Sequence, residues 1–359
     1  MAIAEIYVDP TLTDGTGTGV IGDPFGDIEY AIVQTTYDTT NGTRINIKAG
    51  TPTSGLTAPL ETSMADTSVS VAWSVTAPAL IVIQGYTATA GEGGVGTISG
   101  GGSVTIWSST STNYNAITFI DMHLTNTGAA PIITTTPTAS SFIRCELDTS
   151  SATSPFQTGV YTVMIGCYAH TLTGTYGITI GAGFAGWNHI NATSAGFGNA
   201  FRVSGQAPTV LCHNIVIQNT TNAPGIGVRG ATIAFNNSVY HPNAGTAPGI
   251  AVTQPDPTQS LVFNNLIQGW SGTNGEAIDI HAASASLGVF SNSEYDCFAT
   301  LVTNSGRGAI MTDWAGVANS GNEALGATPF AAAGTDFSPV NTGNVKEGSN
   351  PSDFGNGAI

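Results

Sequence analysis

The chain has 359 residues and a formal net charge of −16, from 23 acidic and 7 basic side chains. Charged residues make up 8% of the sequence, far below the share of about 25% in an average soluble domain. The shortage of lysine and arginine excludes surfaces that bind nucleic acid or anionic membranes. A hydrophobic content of 41% is enough for a large core and argues against disorder.

The N-terminal segment, 1–40, is predicted to form a cap that contains a short helix. Asp23 and Pro24 occupy the expected N-cap and N1 positions, and apolar residues recur at helical spacing from Ile28 to Ile32. The first ten residues lack the charged and apolar segments of a signal peptide, and no stretch is apolar for the length of a membrane span. We therefore expect a protein that is made in the cytoplasm.

The body, 41–325, consists of repeats. Segments such as FNNSV from Phe235 and FNNLI from Phe263 recur every ~22–28 residues. Each repeat is too short to bury its own apolar face, so the repeats must stack as coils. Short alternating strands between Gly, Asn and Pro turns predict an all-β fold, a parallel β-helix (solenoid) of about ten or eleven coils, and the general rule for parallel strand connections makes it right-handed.

Two columns of residues follow from aligning the repeats. The first column is predicted to be the inward core stack, and it comprises Ile120, Ile143, Ile165, Trp187, Cys212, Phe235, Phe263 and Phe290. The second column lies two residues later, and its later members are predicted to form a structural amide ladder: Asn214, Asn237, Asn265 and Asn292, with Met122, Cys145, Cys167 and His189 in the same register. Asparagine suits this position because it tolerates a left-handed backbone and can hydrogen-bond to its counterpart on the next coil.

The C-terminal segment, 326–359, loses the repeat. It is predicted to be either a cap folded onto the last coil or an arm that docks on a partner. The four cysteines show no metal-binding spacing. The turns around Asp14 and Asp256 lack the dense carboxylates of a dedicated calcium loop, so no metal or cofactor is expected.

One weak constellation of catalytic residue types exists. Alternation places Asp279 and His281 on the same outer face of a strand, near Glu276, and Arg202 occupies the equivalent position three coils away. An acid–imidazole pair can act as a base or bind a metal, but a solvated pair on a polar strand is the simpler interpretation. We therefore expect no enzyme.

IYVDP, GDPFGDIEYAI, RINIKAGT and IVIQGYTATAGEGG, followed by the Asn-ladder coils, resemble pectin-lyase-like right-handed β-helix proteins, in particular members among phage structural and bacterial cell-surface proteins. The resemblance implies a virion protein of a tailed phage, either a capsid decoration or a head/tail appendage. It further implies contacts with the major capsid protein or other virion proteins. We expect a homotrimer, because closed cyclic symmetry multiplies weak contacts with a lattice. Such folds host many functions, so a carbohydrate-active β-helix, either a lyase or hydrolase or a glycan-binding adhesin, is the alternative.

Overall fold

The computed structural model describes most of the repeat region and part of each terminus. The described residues are 3–13, 15–34, 38, 41–50, 60–61, 80–88, 93–102, 104–109, 117–135, 140–148, 154–172, 174–192, 198–205, 207–252, 260–273, 275–280, 287–290, 292–295, 297, 302–303, 323–324, 328, 330–332 and 335–339. The chain divides into two compact units, Met1–Tyr168 and Ala169–Ile359, called here the first and the second unit.

The first unit is built from short parallel strands. They are β1 (Ala4–Val8), β2 (Thr43–Lys48), β3 (Leu60–Glu61), β4 (Ile81–Tyr86), β5 (Gly96–Ser99), β6 (Trp107–Ser109), β7 (Ile117–Ile120), β8 (Met122–Thr125), β9 (Ile133–Thr135), β10 (Ser140–Ile143), β11 (Glu146–Asp148), β12 (Phe156–Gln157) and β13 (Thr162–Ile165). Successive coils add one strand to each of three sheets: β1-β2-β4-β7-β10-β13 in the first, β5-β8-β11 in the second and β3-β6-β9-β12 in the third.

The second unit repeats this arrangement. Its strands, starting with β14 at the boundary, are β14 (Tyr168–Leu172), β15 (Ile178–Ile180), β16 (Gly183–Gly186), β17 (His189–Ala192), β18 (Phe201–Val203), β19 (Thr209–Cys212), β20 (Ile215–Gln218), β21 (Ile226–Val228), β22 (Thr232–Phe235), β23 (Ser238–Tyr240), β24 (Ile250–Val252), β25 (Ser260–Phe263), β26 (Leu266–Gln268), β27 (Ile278–Ile280), β28 (Leu287–Phe290), β29 (Ser293–Tyr295), β30 (Val302–Thr303), β31 (Glu323–Ala324), β32 (Phe330–Ala332) and β33 (Asp336–Pro339). The first sheet is β16-β19-β22-β25-β28, the second β14-β17-β20-β23-β26-β29-β31 and the third β15-β18-β21-β24-β27-β30. The predicted parallel β-solenoid is confirmed, and its right-handed sense stays a prediction.

The in-register stacking of the repeats is confirmed, but the direction of the predicted core stack is wrong. Phe235 pairs with Phe263 on the neighbouring strand, and the two rings stack with centroids 5.1 Å apart and planes 4° apart. Both side chains are nevertheless only half-buried, whereas Ala234 and Val262, one position earlier, are fully buried. The predicted column therefore lies on the outer face of the first sheet.

The same correction applies to the other members of that column. Ile120, Ile143 and Ile165 are half-buried, Trp187 is 38% exposed and Cys212 is the one buried member among those whose burial is described. The side chain of Phe290 lies outside the described part of the chain. The inward column is instead the preceding position of each strand, with Phe119, Phe142, Met164, Leu211, Ala234 and Val262. Both neighbouring columns are apolar, so an assignment that is off by one residue moves every side chain to the other face.

The N-terminal residues cover the open edge of β1. Asp9 N donates a hydrogen bond to Phe25 O, and Phe25 N donates to Tyr7 O, so the segment before the helix occupies backbone groups that an open edge would leave for another chain. The helix α1 spans Ile28–Gln34. It is too short to cross a membrane, and no other helix in the described ranges is long and apolar enough to do so.

The start of this helix corrects one prediction. Asp27, rather than Asp23, is the N-cap, because Asp27 Oδ1 accepts a hydrogen bond of 2.6 Å from Tyr30 N. Asp23 belongs to a tight turn in which its backbone N–H donates to Val20 O. The predicted apolar face is correct, since Ile28 and Ile32 are buried.

The described part of the C-terminal segment is an antiparallel hairpin of β32 and β33. Phe330 is 1% exposed and packs against Ile215, Ile217 and Leu266, with Tyr240 beside them. These residues belong to β20, β23 and β26, so the hairpin covers part of the outer face of the second sheet. Residues 340–359, which complete the predicted cap or arm, lie outside the described part of the chain.

Candidate docking surface

A two-residue turn follows strands β10, β13, β16, β19, β22 and β25 of the first sheet. In the second unit the first residue of the turn has a left-handed backbone, with φ of 54° at Asn236 and 53° at Asn264, and the second residue, Asn237 or Asn265, is buried. Asparagine accepts positive φ more readily than most residues. The two asparagines of each FNN motif therefore have different roles, because the first allows the turn and the second fills it.

The second asparagines form the predicted amide ladder. The Nδ2 groups of Asn214, Asn237 and Asn265 each donate a hydrogen bond of 2.9 Å to the Oδ1 atom of the asparagine on the next coil, and their backbone N–H groups donate to the same oxygen at 3.0–3.1 Å. The last member in the described part of the chain is Asn292, whose Oδ1 atom accepts these bonds from Asn265. It contains one member that the sequence alignment missed: Asn188, rather than His189, donates to Asn214 Oδ1.

Cysteines occupy this turn position in the first unit. Cys145 Sγ lies 3.5 Å from Phe119 O, and Cys167 Sγ lies 3.4 Å from Phe142 O. In the ladder the asparagine side chains bond to backbone carbonyl groups at the same position of the preceding coil, as Asn237 Nδ2 does when it donates to Leu211 O. Burial raises the pKa of the Cys145 thiol, and contact with Cys167 raises it further. The four cysteines of the chain form no disulfide.

The catalytic candidates do not assemble in the part of the chain that the structure describes. Asp279 pairs with Ala251, Ala251 with Gly227 and Gly227 with Arg202, so the carboxylate and the guanidinium lie three strands apart, about 14 Å at the usual strand spacing. Asp279 is 4% exposed.

The other catalytic candidates have separate positions. The Arg202 guanidinium lies 4.2 Å above the centre of the Tyr176 ring and therefore has a cation–π partner. Glu276 is half-buried before β27, and His281 lies outside the described residues.

No ligand cluster for a metal was found in the described ranges, since no three His, Cys, Asp or Glu side chains come close enough to hold an ion. A cavity of about 500 Å³ in the first unit is lined by residues that include Leu12, Ile21 and Tyr86. Its charged groups have partners, because Lys48 Nζ lies 2.6 Å from Asp9 Oδ2 and Asp23 Oδ2 accepts a hydrogen bond of 2.9 Å from Thr18 Oγ1. The turns at Asp14 and Asp256, where calcium was considered, lie outside the described residues.

The outer face of the first sheet in the second unit is apolar throughout the described strands β16, β19, β22 and β25. One in-register column contains Phe184, Val210, Ile233 and Leu261, and the neighbouring column contains Gly186, Cys212, Phe235 and Phe263. Most of these side chains are half-buried. We call these eight residues, together with Trp187, the apolar stripe. Contiguous apolar patches on a protein surface mark interaction sites.

Trp187 stands at one end of the stripe. Its ring stacks on His213 with centroids 5.3 Å apart and planes 1° apart, and its φ of 57° is unusual for a bulky residue. Gly186 makes room for Phe184, whose ring carbon Cε1 would lie 2.9 Å from a Cβ atom at that glycine. The equivalent turn residues His213, Asn236 and Asn264 have the same left-handed backbone, so Trp187 differs from them in its exposed ring and not in its backbone.

Trp187 was missed as a surface residue because the alignment placed it opposite Cys212. The register instead pairs Gly186 with Cys212, which puts Trp187 at the turn position of His213. The signal was present in the sequence, since aligning Asn188 with Asn214 gives this register. Trp107 and Trp270 are buried, while Trp73 and Trp314 lie outside the described residues.

The comparable face of the first unit is mixed in character. Arg44 pairs with Glu5 at 2.9 Å, and Arg144 makes two hydrogen bonds of 2.7 Å to the carboxylate of Asp121. Thr118 there occupies an outward strand position. The uninterrupted apolar character is therefore a property of the second unit.

Comparison with known proteins found no similar protein. No protein-family model matches the chain, and neither the curated proteins nor the solved structures contain a match. The fold and the surface therefore assign the chain to a structural class only, the parallel β-solenoids, with an apolar stripe on the outer face.

Proposed function

We propose that the chain is a non-enzymatic structural protein of a virus particle, a capsid decoration or a head/tail appendage of a tailed phage. It is made in the host cytoplasm, assembles as a homo-oligomer and binds the major capsid protein or another virion protein. The sequence resemblance to phage-encoded pectin-lyase-like β-helices motivates the virion assignment. The observation that carries the structural role is the apolar stripe, an uncharged face on a stack of hydrogen-bonded coils.

Two further features support this role. The amide ladder ties each coil of the second unit to the next with buried hydrogen bonds, and stacked repeats of this kind unfold by breaking many interfaces together. Arg202 and the buried Asp279 lie three strands apart, too far to act together on one bond. A stiff body with an apolar face for assembly suits a structural part of a particle.

Particle association tests the proposal. Antibodies raised against the purified chain would be used on virus particles purified from a culture that expresses the gene, with mass spectrometry of the same particles. We expect the chain in stoichiometric amounts with the capsid proteins. Its absence from particles whose host lysate contains it would overturn the virion assignment.

A glycan-binding adhesin is the second candidate, and one observation favours it. Trp187 presents an exposed aromatic ring at the end of the apolar stripe, and such rings combine apolar area with a polar N–H. A glycan array with the wild-type chain and Trp187→Ala would show binding that the variant loses. Turnover of a polysaccharide that Asp279→Ala abolishes would instead establish the lyase or hydrolase.

A further inference from the structure

We propose that the apolar stripe of one chain packs against the apolar stripe of a second copy of the same chain. This inference rests on the proposed function, in which the stripe is a docking face, and names the partner that occupies it. Two properties of the stripe, its charge and its repeat distance, favour a second copy over an unrelated protein, and a third property, its area, sets the strength expected of the contact.

The first property is the absence of charge. None of the nine stripe residues is ionised at neutral pH, and the Cys212 thiol, with its pKa raised to about 11 by burial, stays neutral as well. The whole chain carries −16, so two copies repel each other except through a face without carboxylates. A charged partner would bury ions against this face with nothing to pair them. A second stripe brings no charge to bury.

The second property is the repeat distance. The side chains of the stripe recur once per strand, about 4.8 Å apart, and the parallel rings of Phe235 and Phe263 form a ridge along that direction. A partner can set its ridges into the grooves along the whole stripe only if its own side chains have the same spacing. A second copy has this spacing by construction. Val210, Ile233 and Leu261 supply the parallel row of β-branched and Leu side chains beside the ridge.

The third property is the area of the stripe. The two outward positions on each of four strands, with Trp187 at one end, cover roughly 19 by 12 Å, or about 200 Å², against about 800 Å² per partner in a standard interface. The stripe is therefore the apolar centre of a small interface, with Trp187 as an aromatic anchor of the type that dominates binding energy. Because this area is small, we expect the association to be weak and reversible.

Sedimentation equilibrium of the purified full chain tests this proposal. Over concentrations of about 1–500 µM we expect reversible self-association. Ile233→Glu places a carboxylate in the centre of the stripe and should weaken association by at least about tenfold. The control is Ile120→Glu, which introduces the same charge at a half-buried outward residue of the first unit and should leave association unchanged.

A single monomeric species at every concentration would overturn the proposal, and so would an assembly that Ile233→Glu and Ile120→Glu weaken equally. Circular dichroism checks that each variant is folded. If Ile233→Glu does not fold, Leu261→Gln replaces it, with the same expectation of weakened association. These measurements need no virus particle, so they separate this inference from the proposed function: self-association with no particle binding would remove only the virion assignment.

Discussion

The two units fill the same turn position with different chemistry. In the second unit the position after the left-handed residue holds Asn214, Asn237 and Asn265, whose amides bond to each other from coil to coil. In the first unit it holds Cys145 and Cys167, whose thiols reach a backbone carbonyl of the preceding coil. A thiol is a weak donor, while an amide both donates and accepts, so the same fold is tied together strongly in one unit and mainly by packing in the other.

The largest effect is expected from breaking the ladder. Asn237→Ala removes the oxygen that accepts from both the backbone and the side chain of Asn214 and leaves buried donors without partners. Because each such group costs about 1–3 kcal/mol, the variant should lower the free energy of unfolding by about 4 kcal/mol. Urea denaturation measures this loss.

The adjacent asparagine is the control for the ladder. Asn236 has a left-handed backbone and lies outside the ladder, so Asn236→Gly should change stability by only a few tenths of a kcal/mol. Equal losses of unfolding free energy in the two variants would contradict the different roles assigned to Asn236 and Asn237.

The second-largest effect is expected from acid, which should destabilise the second unit. Burial lowers the pKa of His189 to about 4, assisted by the nearby His170, and burial also lowers the pKa of His241. Since the unfolded chain takes up protons more readily, the stability that neutral His189 contributes is complete above about pH 6.5 and lost as the pH falls toward 4. Allowing for its partial exposure, the loss should be about 2 kcal/mol.

Denaturation at pH 7 and pH 4.5 measures the acid effect. His189→Gln should reduce the difference between the two pH values, because the glutamine does not titrate. His123→Gln, a substitution in the first unit, is the control. An unchanged pH dependence in His189→Gln would rule out the buried imidazole as the cause.

A smaller effect is expected from Cys145 and Cys167, the cysteines at the turn position of the first unit. Cys145→Ala removes a buried thiol, and the carbonyl group that loses its partner was only weakly hydrogen-bonded. We therefore expect the free energy of unfolding to fall by about 1–2 kcal/mol. Cys145→Asn together with Cys167→Asn sharpens the comparison, since it would extend the amide chemistry to the first unit. Urea denaturation should show Cys145→Ala to be clearly milder than Asn237→Ala, and the reverse order would refute the contrast between the units.

The smallest effect is expected from the ion pair on the outside of the first unit. Arg144 contacts Asp121 through two bonds of 2.7 Å, but its side chain is 57% exposed. Exposed pairs contribute about 0–1 kcal/mol, less at high salt. Arg144→Ala should therefore cost about 0.5 kcal/mol in low salt, and thermal unfolding in 1 M salt should show no difference from the wild type.

Sequence reasoning located the ladder because asparagines recur at a regular distance, and their role follows from amide chemistry. It failed at one coil, where the turn residues Trp187 and Asn188 were shifted by one position and His189 was placed in the ladder instead. It also placed the N-cap at Asp23, because Asp23-Pro24 and Asp27 are both acceptable helix starts. Only the hydrogen bond from Tyr30 N decides between them.

The sequence by itself determined the parallel β-solenoid, the register of Phe235 on Phe263 and the structural role of Asn237. These three features depend on a repeat of about two dozen residues, which can be recognised in the amino-acid sequence. Only the tertiary structure decided that Phe235 faces outward and that Trp187 is exposed at the end of an apolar stripe. The physical reason is that the face of a strand alternates with every residue, so two neighbouring apolar columns look alike until the coil closes around one of them.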